Sequence, residues 1–203
     1  MPDQCLTQQR AAERKVAVKE KYRGVARKPH GQFPYPVGQE SLERLGYRTE
    51  WITAVPREIV DRFVGVGNPF SIRRVQRGER VLDIGCGCGL DSYVSALQTG
   101  PEGLVAGIDL TIEMLEWACT AKADALPGNL HFREASADAL PFEDASFDLV
   151  ISNGVLNLVP DKESAFREIA RVLRREGDFV AADLVVEETI PEQTLASMDA
   201  WST

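Results

Sequence analysis

The stretch VLDIGCGCGLD, residues 81–91, decides the fold. Its apolar first half predicts a buried strand, and Gly85, Gly87 and Gly89 predict a turn into a helix where a ligand approaches the backbone. The glycines alone do not identify the ligand. A dinucleotide fingerprint needs a small residue where this chain has Leu90, and Asp83 would repel a pyrophosphate bound at this turn. A ligand with a cationic group and no phosphate fits better.

Short apolar runs recur along the chain around this turn. They lie at residues 80–85, 104–110, 130–135, 147–153 and 178–186, and helical patterns separate most of them. This alternation predicts an α/β fold with a doubly wound, mostly parallel sheet that binds its ligand at the carboxyl ends of the strands. In the turn before the last run, we expect Gly177 to supply the positive φ.

Composition indicates one domain with an N-terminal appendage. The chain has 203 residues, of which 44% are hydrophobic. Residues 6–28 predict a helix and a loop follows, so we assign 1–45 to a helix and loop that could cover the ligand, and 46–203 to the ligand-binding domain.

Charge is distributed unevenly along the chain. The net charge is −8, whereas residues 1–30 carry eight Lys/Arg against three Asp/Glu, which leaves the remainder at −13. An acidic body argues against nucleic acid as a partner, and the basic N-terminal stretch is more readily interpreted as a solvated helix face.

The chain shows no membrane-spanning run and no secretory leader, so we expect a cytoplasmic protein with no membrane partner. Its four cysteines, Cys5, Cys86, Cys88 and Cys119, form no disulfide framework for a chain of this size, and reduced thiols are expected. The two histidines have no partner at metal-ligand spacing, so we predict no metal site.

Two further strand ends offer polar groups that suit S-adenosylmethionine, which carries an ammonium, a sulfonium, a ribose diol and an adenine. Asp109 ends the second strand, 20 residues beyond Gly89, where a carboxylate can accept both ribose hydroxyls. Ser136, Ala137 and Asp138 follow the third strand, at the depth expected for the adenine edge. This combination is more specific than the glycines alone.

These stretches resemble the class I S-adenosylmethionine-dependent methyltransferases over residues 78–186. A narrower likeness, to the arsenite methyltransferases, extends from about residue 46 to the end. It rests on GYRTEWITAVP (46–56), GVGNP (65–69), GIDLTIEML (107–115), ISNGVLNLVPDK (151–162) and DLVVEETIPE (183–192).

The resemblance implies a role for each matching residue. The loop of Asp83, Gly85, Cys86, Gly87 and Gly89 would line the methionine end, and Asp109 the ribose. Leu110 and Met114 would contact the face of the adenine, and Ser136, Ala137 and Asp138 would lie at the adenine edge. Asn153 would lie near the methionine moiety. Tyr22 would act as a lid from the N-terminal helix.

Arsenite methyltransferases bind trivalent arsenic with cysteine thiolates, because a soft atom prefers sulfur. The resemblance implies where these cysteines would lie in this chain. One such cysteine would lie at Val66 and another at Gly154. We therefore expect arsenite to be a poor substrate, and we take Val66, Asn68, Gly154 and Asn157 as candidates for the pocket of a small-molecule methyl acceptor. No catalytic residue is singled out, since methyl transfer from a sulfonium mostly needs positioning.

Three functions remain open. The first is a methyltransferase for a small molecule other than arsenite. The second is an arsenite methyltransferase that uses Cys86, Cys88 or a thiol cosubstrate. The third is a protein that binds S-adenosylmethionine without catalysis.

A class I methyltransferase sheet has seven strands, and this sequence supplies no strand after the fifth. We expect the domain to be incomplete at the C-terminus and to self-associate through the uncovered sheet edge as a homo-oligomer. The family's third arsenic-binding cysteine would fall directly after Thr203. An end trimmed for expression, a true terminus and a UGA codon that encodes selenocysteine remain alternatives.

Overall fold

The computed structural model describes residues 2–120 and 127–185, which form one sheet with helices on both faces. The strands are β1 (Arg80–Ile84), β2 (Leu104–Asp109), β3 (Leu130–Glu134), β4 (Phe147–Asn153) and β5 (Leu173–Ala182). Their order is β3-β2-β1-β4-β5, and every neighbouring pair is parallel. The order reverses between β1 and β4, which places a crevice at the carboxyl ends of these strands. The predicted doubly wound α/β sheet is confirmed.

Helices cover the sheet in two apolar layers. They are α1 (Pro2–Arg27), α2 (Gln39–Arg44), α3 (Thr49–Ala54), α4 (Arg57–Val60), α5 (Leu90–Thr99), α6 (Ile112–Thr120) and α7 (Lys162–Val172). Leu42, Ile59 and Tyr93 belong to one buried cluster on the sheet, whereas Ala165 and Ile169 of α7 belong to the other. The central strands β1, β2 and β4 are buried from both sides, which explains their nearly continuous apolar sequence, whereas the edge strands β3 and β5 are partly exposed.

One stripe of α1 is tied to the body by ion pairs. Lys15 Nζ lies 2.7 Å from Asp138, Lys19 Nζ lies 2.7 Å from Glu134, and Arg23 Nε lies 2.5 Å from Glu113. The three cations are four residues apart and therefore share one helix face. The interpretation of a solvated basic face is wrong for this stripe, which forms a latch (Lys15, Lys19 and Arg23) across the ends of β2 and β3.

The turn before the buried half of β5 differs from the sequence expectation. Glu176, not Gly177, has the positive φ, at +68°. A Cβ at Gly177 would lie 3.0 Å from the Arg174 carbonyl oxygen and 3.1 Å from the Asp148 carbonyl oxygen. Glycine is therefore needed at 177 for space, and a non-glycine residue adopts the left-handed conformation beside it.

The predictions that concern the C-terminal end, including the uncovered edge and self-association, fall on residues 186–203 and lie outside the described residues. They stay predictions. Among the residues that the structure describes, no helix has both the length and the apolar character needed to cross a bilayer.

Candidate cofactor and acceptor site

A cleft with an empty volume of about 780 Å³ opens at the carboxyl ends of β1, β2 and β4. Its walls come from the glycine turn after β1, the ends of β2 and β4, the turn after β3, and α1. Predicted site residues among its lining are Tyr22, Gly85, Gly87, Asp109, Leu110, Ser136, Ala137, Asn153 and Gly154.

The glycine turn gives the cleft a floor without side chains. Gly85 and Gly89 have φ values of +69° and +89°, and Gly89 is the N-cap of α5. Gly87 has a φ of +54°, and a Cβ built on it would meet no described atom within 4 Å. The backbone at Gly87 therefore faces open space in which a bound molecule can approach it closely.

Asp109 is fixed at the end of β2 by two backbone donors. Gly87 N donates to Oδ2 at 2.9 Å, and Thr111 N donates to Oδ1 at 2.8 Å. Burial raises the pKa of this carboxyl, and the backbone hydrogen bonds oppose the rise. The Thr111 side chain and the Leu110 backbone also form hydrogen bonds with this carboxyl. Asp109 lines the cleft, where its carboxylate is an acceptor for ligand hydroxyls.

The predicted adenine contacts divide into two groups. Leu110, Ser136 and Ala137 line the cleft. Asp138 accepts hydrogen bonds from Ser136 Oγ at 2.7 Å and from Lys15 Nζ at 2.8 Å. Met114 lies elsewhere, 1% exposed, with its sulfur 3.5 Å from the Cys88 sulfur in a cluster under α1.

Tyr22 reaches the cleft from α1, beside Lys15 and Val18. Its ring packs toward Phe33 with centroids 6.3 Å apart. Burial raises the pKa of the Tyr22 phenol, with Tyr35, Asp109 and Asp183 adding to the rise. The tyrosine is thus a neutral side chain that lines the cleft, and its role as a lid stays a prediction.

A second recess, of about 400 Å³, continues from the glycine turn toward α4 and α5, and we call it the inner recess (its polar side chains are Arg62, Asp83, Asp91 and Asn153). Asp83 accepts a hydrogen bond from Ser92 Oγ at 2.6 Å. Burial raises the pKa of Asp83, with Asp91 adding to the rise, and burial raises the pKa of Asp91 to about 6. Two buried carboxyls at one site favour a cationic ligand.

Asn153 connects the inner recess to the acceptor side. Its Oδ1 accepts from Val66 N at 2.9 Å and from Gly67 N at 3.0 Å, and its Nδ2 donates to Asp91 at 2.9 Å. Tyr47 also donates to Asp91, at 2.7 Å. This network holds the loop of residues 65–67 against the end of β4.

Val66 and Gly154 face each other across that contact. A Cβ built on Gly154 would lie 3.4 Å from Val66 Cγ1, which is ordinary van der Waals contact. Gly154 has a φ of +73°, which L side chains adopt at a cost. The structure therefore brings together the two positions that the sequence singles out on the acceptor side.

The other two acceptor-side candidates have structural contacts. Asn68 caps the short 3₁₀ turn Pro69–Ser71 through Phe70 N and donates to Leu45 O and Gly46 O. Asn157 N donates to Asp183 at 3.1 Å, and its buried Oδ1 accepts no hydrogen bond from any described residue.

The loop thiols are buried and protonated. Burial raises the pKa of Cys86 well above its usual value and that of Cys88 to about 12. Within residues 2–120 and 127–185, no three His, Cys, Asp or Glu side chains come together as a metal site would require.

Sequence reasoning missed Arg62, Asp91 and Lys15, which line these cavities from three separate helical regions. The sequence signal for Asp91 was its place in the first turn after the glycines. No sequence signal marked Arg62 or Lys15, because the closeness of these residues to the site depends on tertiary packing.

Comparisons with known proteins identify the family of the chain. Residues 76–203 match the family model described as a methyltransferase domain. An arsenite methyltransferase from Halobacterium salinarum is 38% identical over 160 residues, which are 78% of this chain and 40% of that protein. A demethylmenaquinone methyltransferase from Listeria monocytogenes is 38% identical over 113 residues, 56% of this chain and 48% of that protein.

Among solved structures, an arsenic(III) S-adenosylmethionine methyltransferase from Chlamydomonas reinhardtii superposes with a TM-score of 0.65 at 35% identity, covering 84% of this chain and 58% of that one. The chain spans about two fifths of the length of the curated arsenite methyltransferases that it matches. It belongs to the class I S-adenosylmethionine-dependent methyltransferase domains, close to the arsenite methyltransferases.

Proposed function

We propose that this chain transfers the methyl group of S-adenosylmethionine to a small molecule other than arsenite. The observation that supports the proposal is the closeness of Val66 and Gly154, the positions where the resemblance implies thiolates: a Cβ built on Gly154 would lie 3.4 Å from Val66 Cγ1, and neither residue contains sulfur. The cofactor side, in contrast, keeps its expected polar groups.

The residues present fit the cofactor. Asp109 lines the cleft as an acceptor suited to a ribose diol, and the open space at Gly87 admits a ligand to the backbone. Asp83 and Asp91 suit the ammonium of the methionine end. Bound there, S-adenosylmethionine supplies an activated methyl group on a sulfonium.

The protein's own contribution is positioning and exclusion of water. Tyr22 covers the cleft from α1, and Asn153 fixes the acceptor loop against the end of β4. Orienting two reactants supplies effective molarities on the order of 10⁵ M or more, so an in-line methyl transfer needs no dedicated acid or base.

Arsenite with other thiols is the second candidate. Its favouring observation is the pair Cys86 and Cys88 beside the inner recess. Burial raises the pKa of both thiols, which disfavours the thiolate that binds arsenic. The demethylmenaquinone methyltransferase among the relatives supports an organic acceptor instead.

A turnover assay for S-adenosylhomocysteine tests the proposal. The purified chain is incubated with S-adenosylmethionine and either arsenite with a thiol or a panel of small organic hydroxyl, enol, amine and thiol acceptors. Turnover with an organic acceptor and none with arsenite is the expected result. Turnover with arsenite at an ordinary enzymatic rate contradicts the acceptor assignment, and cofactor binding with no turnover on any acceptor favours the non-catalytic alternative.

A further inference from the structure

The inner recess has an unusual balance of charge. Asp83 and Asp91 lie at its base, and Arg62 reaches it from the end of α4. Among the described residues that line this recess, Arg62 is the one lysine or arginine. A site with two acids and one cation suits a ligand that itself carries charges of both signs.

The guanidinium of Arg62 is held in place from three directions. Nη1 donates to Glu58 O at 2.9 Å, and Nε points to Ala26 O at 3.4 Å. The guanidinium carbon lies 3.4 Å from the centroid of the Trp117 ring. These contacts pre-organise the planar group, which reduces the entropy that a ligand contact costs.

One edge of the guanidinium remains available. Nη2 makes no hydrogen bond to a residue in the described part of the chain. Arg62 lines the inner recess together with Gly87 and Cys88 of the glycine turn. The other cation at the cleft, Lys15, is paired with Asp138 at 2.7 Å.

The methionine end of S-adenosylmethionine is an α-amino acid with an ammonium and a carboxylate. The proposed function places this end beside the glycine turn, next to the inner recess. Its ammonium has Asp83 and Asp91, and its carboxylate needs a cation or several N–H donors. Arginine presents two parallel donors that match a carboxylate.

We propose that Arg62 binds the carboxylate of the methionine end and so makes this site select ligands with an intact amino-acid tail. The inference rests on the proposed function, because it assigns a residue to the same cofactor. A purely structural role, in which Arg62 only ties α1 and α4 together, is the competing explanation.

Isothermal titration with two ligands separates these explanations. S-adenosylmethionine is compared with its decarboxylated analogue, which lacks only the carboxylate. The proteins are the parent, Arg62→Gln and the matched control Arg57→Gln, which removes a charge from α4, the short helix directly before Arg62, at a side chain that is 67% exposed.

The parent should bind S-adenosylmethionine about tenfold or more tightly than the analogue, as expected for a charge-assisted hydrogen bond. Arg62→Gln should reduce this preference to about twofold or less, and Arg57→Gln should retain it. Equal weakening of both ligands in Arg62→Gln would overturn the proposal and indicate a structural role.

Two further outcomes keep the test decisive. If Arg62→Gln does not fold, the affinities of the parent protein for the two ligands still test the proposal. Equal affinities would overturn the assignment of the carboxylate contact. Arg62→Lys then serves as the folded variant and should retain part of the preference. A parent that binds neither ligand overturns the proposed function itself, whereas binding without discrimination overturns only the role of Arg62.

Discussion

The cofactor side and the acceptor side of the cleft are built differently, although β4 contributes to both. On the cofactor side Asp109 is fixed by two backbone donors, and the turn at Gly87 leaves open space for a ligand. On the proposed acceptor side, a Cβ built on Gly154 would lie 3.4 Å from Val66 Cγ1, and the loop of residues 65–67 is held by hydrogen bonds to Asn153. The difference teaches that no side chain of residue 66 or 154 makes the hydrogen bonds that hold this loop, so these side chains can be changed without removing its anchor.

The largest effect is expected from Asp109→Ala, which removes the proposed ribose-binding carboxylate. Loss of charge-assisted hydrogen bonds should weaken S-adenosylmethionine binding by about 1.5–3 kcal/mol, roughly 10- to 100-fold. Titration calorimetry measures this, with Asp144→Ala as a control, since that side chain is 78% exposed in a loop away from the cleft. Unchanged affinity in Asp109→Ala would contradict the ribose assignment.

Introducing sulfur at residues 66 and 154 should give a gain in arsenite binding that is smaller than the effect of Asp109→Ala on cofactor binding. Val66→Cys with Gly154→Cys should create arsenite binding that the parent lacks, but the φ of +73° at residue 154 costs roughly 1–2 kcal/mol for a non-glycine residue. Val66→Ala with Gly154→Ala has the same backbone strain without thiols. Arsenite binding by both double variants would show that sulfur at these positions is not the cause.

Affinity for the cofactor should depend on pH through the inner recess. The pKa of Asp91 is raised by burial from 3.8 to about 6, so its carboxyl takes up a proton as the pH falls through 6 and loses the charge that attracts the ammonium. Below that pH the affinity should fall by up to about tenfold per unit.

The free energy of unfolding changes with pH in the opposite direction to the affinity for the cofactor. A raised pKa means that the folded chain binds this proton more tightly than the unfolded chain, so Asp91 lowers the free energy of unfolding of the ligand-free protein as pH rises from 4 to 6. Methylthioadenosine, which has no amino-acid tail, is the control ligand for affinity and should show no step near pH 6. If the affinities for both ligands fell in parallel with pH, the carboxyls of the inner recess would be excluded as the origin of the pH dependence.

The smallest effect is expected from the latch on α1. Its three ion pairs are partly exposed and each is worth about 0.2–1 kcal/mol, so Lys15→Gln, Lys19→Gln and Arg23→Gln together should speed cofactor release by roughly two- to tenfold at low salt. Stopped-flow release measures this. The matched control replaces Arg44, Arg57 and Arg167, which form exposed pairs within their own helices. An equal change in both triple variants would assign the effect to net charge.

The strands and the glycine turn could be predicted because the signal for each is local. Buried parallel strands read as apolar runs, and the cofactor carboxylate Asp109 follows such a run directly. The five strands are therefore observed at or near the expected residues.

Contacts between distant segments could not be predicted in this way. Arg62 approaches the glycine turn only because α4 packs near α6, and Lys15 meets Asp138 across 123 positions of sequence. Residue 177 must be glycine because a Cβ there would lie close to the Asp148 carbonyl oxygen of a neighbouring strand, while the positive φ lies at Glu176. These features come from packing, which residue spacing does not encode.

The contrast between the two sides of the cleft is tested most directly by titrating one preparation of the parent protein with S-adenosylmethionine and, separately, with arsenite. The account expects saturable binding of one S-adenosylmethionine per chain and no arsenite binding. Arsenite binding at the same stoichiometry, or no binding of S-adenosylmethionine, would contradict it.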